Sequence, residues 1–301
     1  MQVENNKRKT LVQIIFLCND IDNLGRTLLL LKQNSLFLNS KDYIILDISM
    51  LVSDKLIDWN NSIIKKDFFE DKFNQFKKYA DWANEVYFNI DDESYGSLDR
   101  GISNIYKYNV NDVIWLDVDI IFNQYTLSTF LQSSELINKS KTRYAITPSL
   151  VKLWDNTWDV LVNDNFLNKP FKYNETNDSI KDTHENYGEL SLIPLQNFKF
   201  AGGWFTLFSK NLLDFLEIPK TIKGFSPIDT WIMTSCNRVP RAVQYKINNL
   251  VVCEDRKMTD RKLYDKYIKF TGKNLDFYYS SYQELQKHFY DVLVKKCQLD
   301  H

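Results

Sequence analysis

Two aspartates two positions apart, Asp117 and Asp119, lie in an apolar run that starts Val113-Ile114-Trp115-Leu116, holds Val118 between the acids and ends Ile120-Ile121-Phe122. The run over 113–122 predicts one buried strand that carries both carboxylates to an edge of the core. Side chains alternate along a strand, so the two acids are expected to face the same way. Burying them together is costly unless something neutralises them, and a hard divalent cation that also grips a diphosphate does so. The competing reading is a solvated strand end, since this spacing arises by chance in acidic sequences.

The preceding elements must position those acids. Leu11 to Cys18 is a short β-rich run that gives way to Asn19-Asp20-Ile21-Asp22-Asn23, a strand-to-loop transition with a helix-capping composition. Leucines at helical spacing then predict a helix from about Asn23 to Leu38, and Tyr43 to Val52 reads as a second strand stopping at Ser53-Asp54. A polar residue just past the carboxyl end of a parallel strand stands where open α/β sheets bind their ligands. For Asp20 and Asp54 the alternative is capping of the following segment. Lys65 to Ala83 has helical periodicity, Glu85 to Ile90 reads as a third strand, and an acidic loop then becomes a helix with apolar residues at 98, 102, 105 and 106. That helix carries Arg100, whose guanidinium would neutralise a phosphate or the first acid, or form a surface pair with Asp99 or Glu93.

Composition narrows the field. The 301 residues are 44% hydrophobic and 15% aromatic, enough for one large α/β domain or two smaller ones. A net charge of -1 gives no electrostatic case for nucleic acid as a partner. Cys18, Cys236, Cys253 and Cys297 form no C-x-x-C pair, which suits a reducing, cytoplasmic compartment. With His184, His288 and His301 as the only histidines, a His-rich zinc site is excluded. No apolar stretch approaches the roughly 18 to 20 residues that span a bilayer, so a soluble chain is expected.

The second half holds further candidates. A helix from about Thr126 to Leu136 precedes the strand Tyr144-Ala145-Ile146-Thr147, which is expected to end at Pro148. Trp154 and Trp158 stand beside Asp155 and Asp159, a pattern suited to sugar stacking and hydroxyl recognition, or to core packing. Residues 163–189 are polar and read as an exposed excursion. Gly202 and Gly203 precede Trp204 and an aromatic strand; in a chain with only eight glycines the pair implies a close backbone approach or a simple turn. Asp229 falls in the first turn of a helix ending near Cys236, where an acid is either a candidate general base or a favourable partner of the helix dipole. From about Lys257 a tail with two helices, near Thr259 to Phe270 and Ser281 to Lys296, is expected to pack on the domain or a second subunit, the sharper alternative being peripheral contact with an anionic membrane.

The order of these parts resembles the nucleotide-binding half of the GT-A glycosyltransferases. Leu98-Asp99-Arg100-Gly101-Ile102 followed by Val113 to Asp119 is similar to the central block of glycosyltransferase family 2, and with Leu51-Val52-Ser53-Asp54 it also resembles the fungal mannan-polymerase-type mannosyltransferases. The resemblance implies a mostly parallel, Rossmann-like central sheet flanked by helices, with a catalytic domain over 1–256 (nucleotide half about 10–122, acceptor half about 123–256) and a helical tail over 257–301. It implies a metal-dependent glycosyltransferase that takes a UDP- or GDP-linked sugar to a glycan, lipid or protein hydroxyl with Mn2+ or Mg2+. Asp119 would ligate the metal, and Asp117 would contact the ribose, the sugar or the metal. Asn19, Asp20 and Asp54 would hold the nucleoside. Gly202, Gly203 and Trp204 would border donor sugar and acceptor, and Asp229 would serve as base in an inverting enzyme. Where such enzymes often supply a metal-binding histidine, this chain has Glu254-Asp255, acids suited to the same hard cation. Two other classes compete: a haloacid-dehalogenase-type phosphatase, whose Asp-x-Asp usually lies near the domain start, and a glycosyltransferase-like binding protein without turnover.

Overall fold

The computed structural model describes residues 7–51, 66–91, 97–152, 192–194, 205–219, 228–254 and 283–299. Nine strands among them form one sheet: β1 (Arg8–Leu17), β2 (Asp42–Leu51), β3 (Glu85–Asp91), β4 (Asp112–Leu116), β5 (Ile120–Ile121), β6 (Arg143–Lys152), β7 (Leu192–Pro194), β8 (Phe205–Ser209) and β9 (Ala242–Glu254). Their order is β3-β2-β1-β4-β8-β6-β9-β5, and β7 also pairs with β9. The pairings make β1, β2, β3, β4, β6 and β9 run one way, with β5, β7 and β8 opposed, so the sheet is mostly parallel as expected.

Helices cover both faces: α1 (Ile21–Ser35), α2 (Lys66–Phe76), α3 (Ser97–Lys107), α4 (Thr126–Asn138), α5 (Lys210–Leu216), α6 (Ile228–Cys236) and α7 (283–299), the last with a π-helical turn at Phe289–Leu293. Strand alternation explains why both faces need covering. Val12, Ile14, Ile44, Leu46, Ile48, Ile114 and Leu116 meet α1, α2 and α4, while Leu11, Ile45, Val113 and Trp115 meet α3, α5, α6 and α7. On α1, Leu24, Leu28 and Leu31 are all fully buried. At about 1.5–3 kcal/mol for each such side chain, their burial outweighs the absence of a side-chain cap at Asp20. Gly25 marks the close approach of α2, since a Cβ there would lie 2.8 Å from the Phe76 ring.

The tail helix docks on the second face. Leu285, Phe289 and Leu293 join the cluster around Trp231 and Leu216, and His288 Nε2 donates to the Leu216 carbonyl at 2.9 Å. Lys296 bonds the Phe215 carbonyl at 3.2 Å and pairs with Glu217 at 2.5 Å. Among the described residues no helix is long and apolar enough to cross a membrane.

Two strand expectations are corrected. The run over 113–122 is not one strand: β4 stops at Leu116, residues 118 and 119 form a turn, and β5 resumes at Ile120 on a different partner. The apolar pattern could not show this break, because residues of the turn are as buried as the strands. Strand β6 likewise does not end at Pro148 but runs to Lys152. A register shift there lets β6 advance from Pro148 to Leu150 while β9 advances from Ile247 to Val251, an irregularity of the kind that tolerates proline.

Candidate active site

Chain order reverses beside β1, because β2 and β3 lie on one side of it and β4 on the other. Ligands of open α/β sheets bind in the crevice outside the carboxyl ends of the strands at such a switch point. Both acid-bearing turns arise there. Strand β1 is followed by the 3-10 turn Cys18–Asp20, and β4, paired alongside with Ile14 opposite Leu116, is followed by Asp117-Val118-Asp119. Asp20 is half-buried and its side chain does not cap α1, so the capping alternative is not realised. Leu51 pairs with Leu17, so β2 ends at this same edge.

The acidic turn is anchored rather than loose. Asp119 is 4% exposed and Val118 is buried in the core beneath it, while Asp117 is half-buried. Thr27 Oγ1 of α1 donates a 2.7 Å hydrogen bond to the Val118 carbonyl. After the turn, β5 pairs antiparallel with the end of β9, which sets Glu254 opposite Ile120, the residue following Asp119. The expected third acid is thus brought by its backbone to the neighbourhood of the first two. Asp229 is half-buried in the first turn of α6, flanked by buried Ile228 and Trp231. The last turn of α6 leads into the start of β9.

Asp54, Trp154, Trp158, Gly202, Gly203 and Trp204 lie outside the described residues, and of Asn19, Arg100 and Glu254 only the backbone is described. Among the described residues no group of three His, Cys, Asp or Glu side chains could hold a metal ion. The donor chemistry nevertheless fits a hard cation: small divalent ions are commonly held by one or two carboxylates together with substrate phosphates, and Asp117 and Asp119 offer that number from one turn.

The opposite edge holds a different polar cluster that the sequence did not disclose. Asp112, fully buried at the start of β4, accepts bonds from Arg8 Nε at 2.7 Å, Tyr144 Oη at 2.8 Å and Ser134 Oγ at 3.1 Å. Burial, then the charge of Asp112, pushes the Tyr144 hydroxyl far above its usual range. For Arg8, burial acts to lower the guanidinium, but the bond and charge of Asp112 leave it raised overall. A second saturated acid, Asp47 in mid-β2, accepts from Ser49 at 2.9 Å, Asn89 at 3.1 Å and Tyr108 at 2.6 Å. On α6, burial pushes the Cys236 thiol up to about 12.

No protein-family model matches the sequence, and no curated protein matches it. Solved structures do match the fold. The mannosyltransferase PcManGT from Pyrobaculum calidifontis, in complex with GDP-Man and Mn2+, is similar at a TM-score of 0.51 and 11% identity, over 89% of this chain and 64% of that one. GalNAc-T7 with UDP, GalNAc and Mn2+ is similar at 0.51 and 11% identity, over 88% of this chain and 48% of that one. The chain thus spans between about half and two thirds of the length of these two proteins. At such identity the likeness is one of fold, and the fold is that of the GT-A glycosyltransferases.

Proposed function

We propose that this protein is a divalent-cation-dependent glycosyltransferase that moves a sugar from a UDP- or GDP-linked donor to a hydroxyl of a glycan, lipid or protein. The observation that carries the reading is the arrival of the Cys18–Asp20 and Asp117–Asp119 turns at the switch point of a GT-A sheet. The Mn2+ and nucleotides present in the two similar structures support it.

Asp119 and Asp117 would hold Mn2+ or Mg2+, whose chemistry is to offset charge gathering on the diphosphate as the sugar–phosphate bond breaks. Glu254 would add a further carboxylate beside them. Asn19, Asp20 and Asp54 would bind the nucleoside, with Asp117 also in reach of ribose or sugar, and Arg100 would neutralise phosphate. Gly202, Gly203, Trp204, Trp154 and Trp158 would line the donor-sugar and acceptor region. If the reaction inverts configuration, Asp229 would take the proton from the acceptor hydroxyl, which requires it within hydrogen-bond reach of that oxygen. Contact of the tail helix with a second copy of the chain or with an anionic membrane carrying the acceptor belongs to the same proposal.

The test is a panel of UDP- and GDP-sugars assayed for hydrolysis with and without Mn2+. The reading predicts slow, Mn2+-dependent release of one nucleoside diphosphate. Binding without release would make this a non-catalytic relative, and turnover of p-nitrophenyl phosphate with no donor hydrolysis would replace it with a phosphatase.

A further inference from the structure

We infer that Thr27 is a positioning residue for the acidic turn, and that α1 is the splint through which it acts; the inference rests on reading that turn as the cation and diphosphate site. Thr27 is fully buried on α1. A threonine inside a helix commonly bonds back to a carbonyl three or four residues earlier. Here its Oγ1 reaches across 91 positions of sequence to the Val118 carbonyl at 2.7 Å. That oxygen belongs to the peptide joining Val118 to Asp119, so the bond sets the orientation of the peptide from which the second acid projects.

A second grip lies farther along the same helix. Residues 27, 31 and 34 share a face by their i, i+4, i+7 spacing, and Leu31 and Asn34 are fully buried. Asn34 Nδ2 donates to the Asn123 carbonyl at 3.0 Å and to the Leu30 carbonyl at 2.9 Å, while its Oδ1 accepts from Leu127 N at 2.8 Å. The segment from Val118 to Leu127 is therefore tied to α1 at both ends, with β5 paired to β9 between them. Because α1 begins directly after the Cys18–Asp20 turn, one rigid element references both candidate loops.

Val118, buried in the same core as Leu24 and Leu28, would hold the turn down without Thr27, but would not choose which way its peptide points. Losing the hydroxyl is thus expected to loosen the geometry of Asp119 more than the fold. Groups that orient metal ligands typically change metal affinity 10- to 100-fold when removed.

The experiment compares Thr27→Val, which keeps the shape and removes the hydroxyl, with Thr27→Ser, which keeps the hydroxyl. Ser134→Ala is the control, because it deletes a buried hydroxyl bond at the other edge of the sheet. Two readouts are taken: the Mn2+ concentration for half-maximal binding of UDP or GDP, and amide hydrogen exchange over residues 117–121 without metal or nucleotide. The expected result is a roughly tenfold rise in the Mn2+ requirement for Thr27→Val, with faster exchange over 117–121, and values within about twofold of wild type for Thr27→Ser and Ser134→Ala. Unchanged exchange in Thr27→Val, or a rise shared equally by Ser134→Ala, would overturn the positioning role. If the wild type binds no nucleotide with Mn2+, the reading of the site fails, while exchange alone still decides whether Thr27 sets the turn.

Discussion

Asp112 opens β4 and Asp117 follows its last residue, so one strand of five residues separates acids in contrasting settings. Asp112 lies at the amino edge of the parallel strands, wholly buried, with Arg8, Tyr144 and Ser134 arranged around both oxygens. Asp117 and Asp119 lie at the carboxyl edge, on a turn whose backbone is fixed by a neighbouring helix and whose place beside β1 is where such sheets take ligands. Burial alone does not separate the two, since Asp119 is nearly as buried as Asp112. The first acid is neutralised by Arg8 and two hydroxyls and serves architecture, while the second pair stands at the carboxyl-edge switch point, where the proposed function would place a cation and a diphosphate.

If that contrast holds, removing the acid at the amino edge should cost stability before anything else. Asp112→Ala strands the Arg8 guanidinium, and breaking a buried pair by removing one partner costs about 3–5 kcal/mol; because Arg8 keeps some solvent contact, the lower end is expected. Urea unfolding would show it as a large fall in midpoint, and a fall no greater than that of Asp119→Asn would break the comparison. Tyr144→Phe is a finer cut. It removes the hydroxyl joining Arg8 and Asp112 while keeping the ring, and should cost about 1–2 kcal/mol in the same titration.

A third, smaller effect concerns pH. Glu85, at the start of β3, accepts hydrogen bonds from the hydroxyls of Tyr87 at 2.7 Å and Tyr43 at 2.9 Å, and these bonds, that of Tyr87 first, hold its carboxyl below the ordinary value. A depressed acid contributes stability above its unfolded pKa and loses it as pH falls through the folded one. Tyr87→Phe should therefore lose a little stability near neutral pH, a loss that shrinks as pH falls through the carboxylate range, which flattens the acid arm of the stability curve. The effect is small because the site is open to solvent. A variant whose loss grew as pH fell would contradict the assignment.

Much of the sheet was legible because its signals are local. Apolar, β-rich runs over Leu11 to Cys18 and Tyr43 to Val52, and the leucine spacing between them, gave β1, β2 and α1 to within a few residues. The acids of the candidate site were legible for the same reason, being two positions apart in one apolar run. What escaped was non-local. Nothing near Asp112 announces Arg8, 104 positions away, or Tyr144, 32 positions away. Thr27 read as one more position in a leucine-rich helix, because the carbonyl it holds belongs to a turn 91 residues on. The break after Leu116 was hidden because β5 takes a different partner and yet remains as buried as β4, so hydrophobicity alone carries no mark of the change.

The most direct test of the account is nucleoside-diphosphate release from UDP- and GDP-sugars by Asp119→Asn beside the wild type, with thermal unfolding of both in metal-free buffer. The account predicts Mn2+-dependent release by the wild type, at least about a hundredfold less by the variant, and closely similar melting temperatures. An Asp119→Asn protein that melts far below the wild type, or that still releases nucleotide at the wild-type rate with the same Mn2+ dependence, would place Asp119 with Asp112 among the acids that serve architecture.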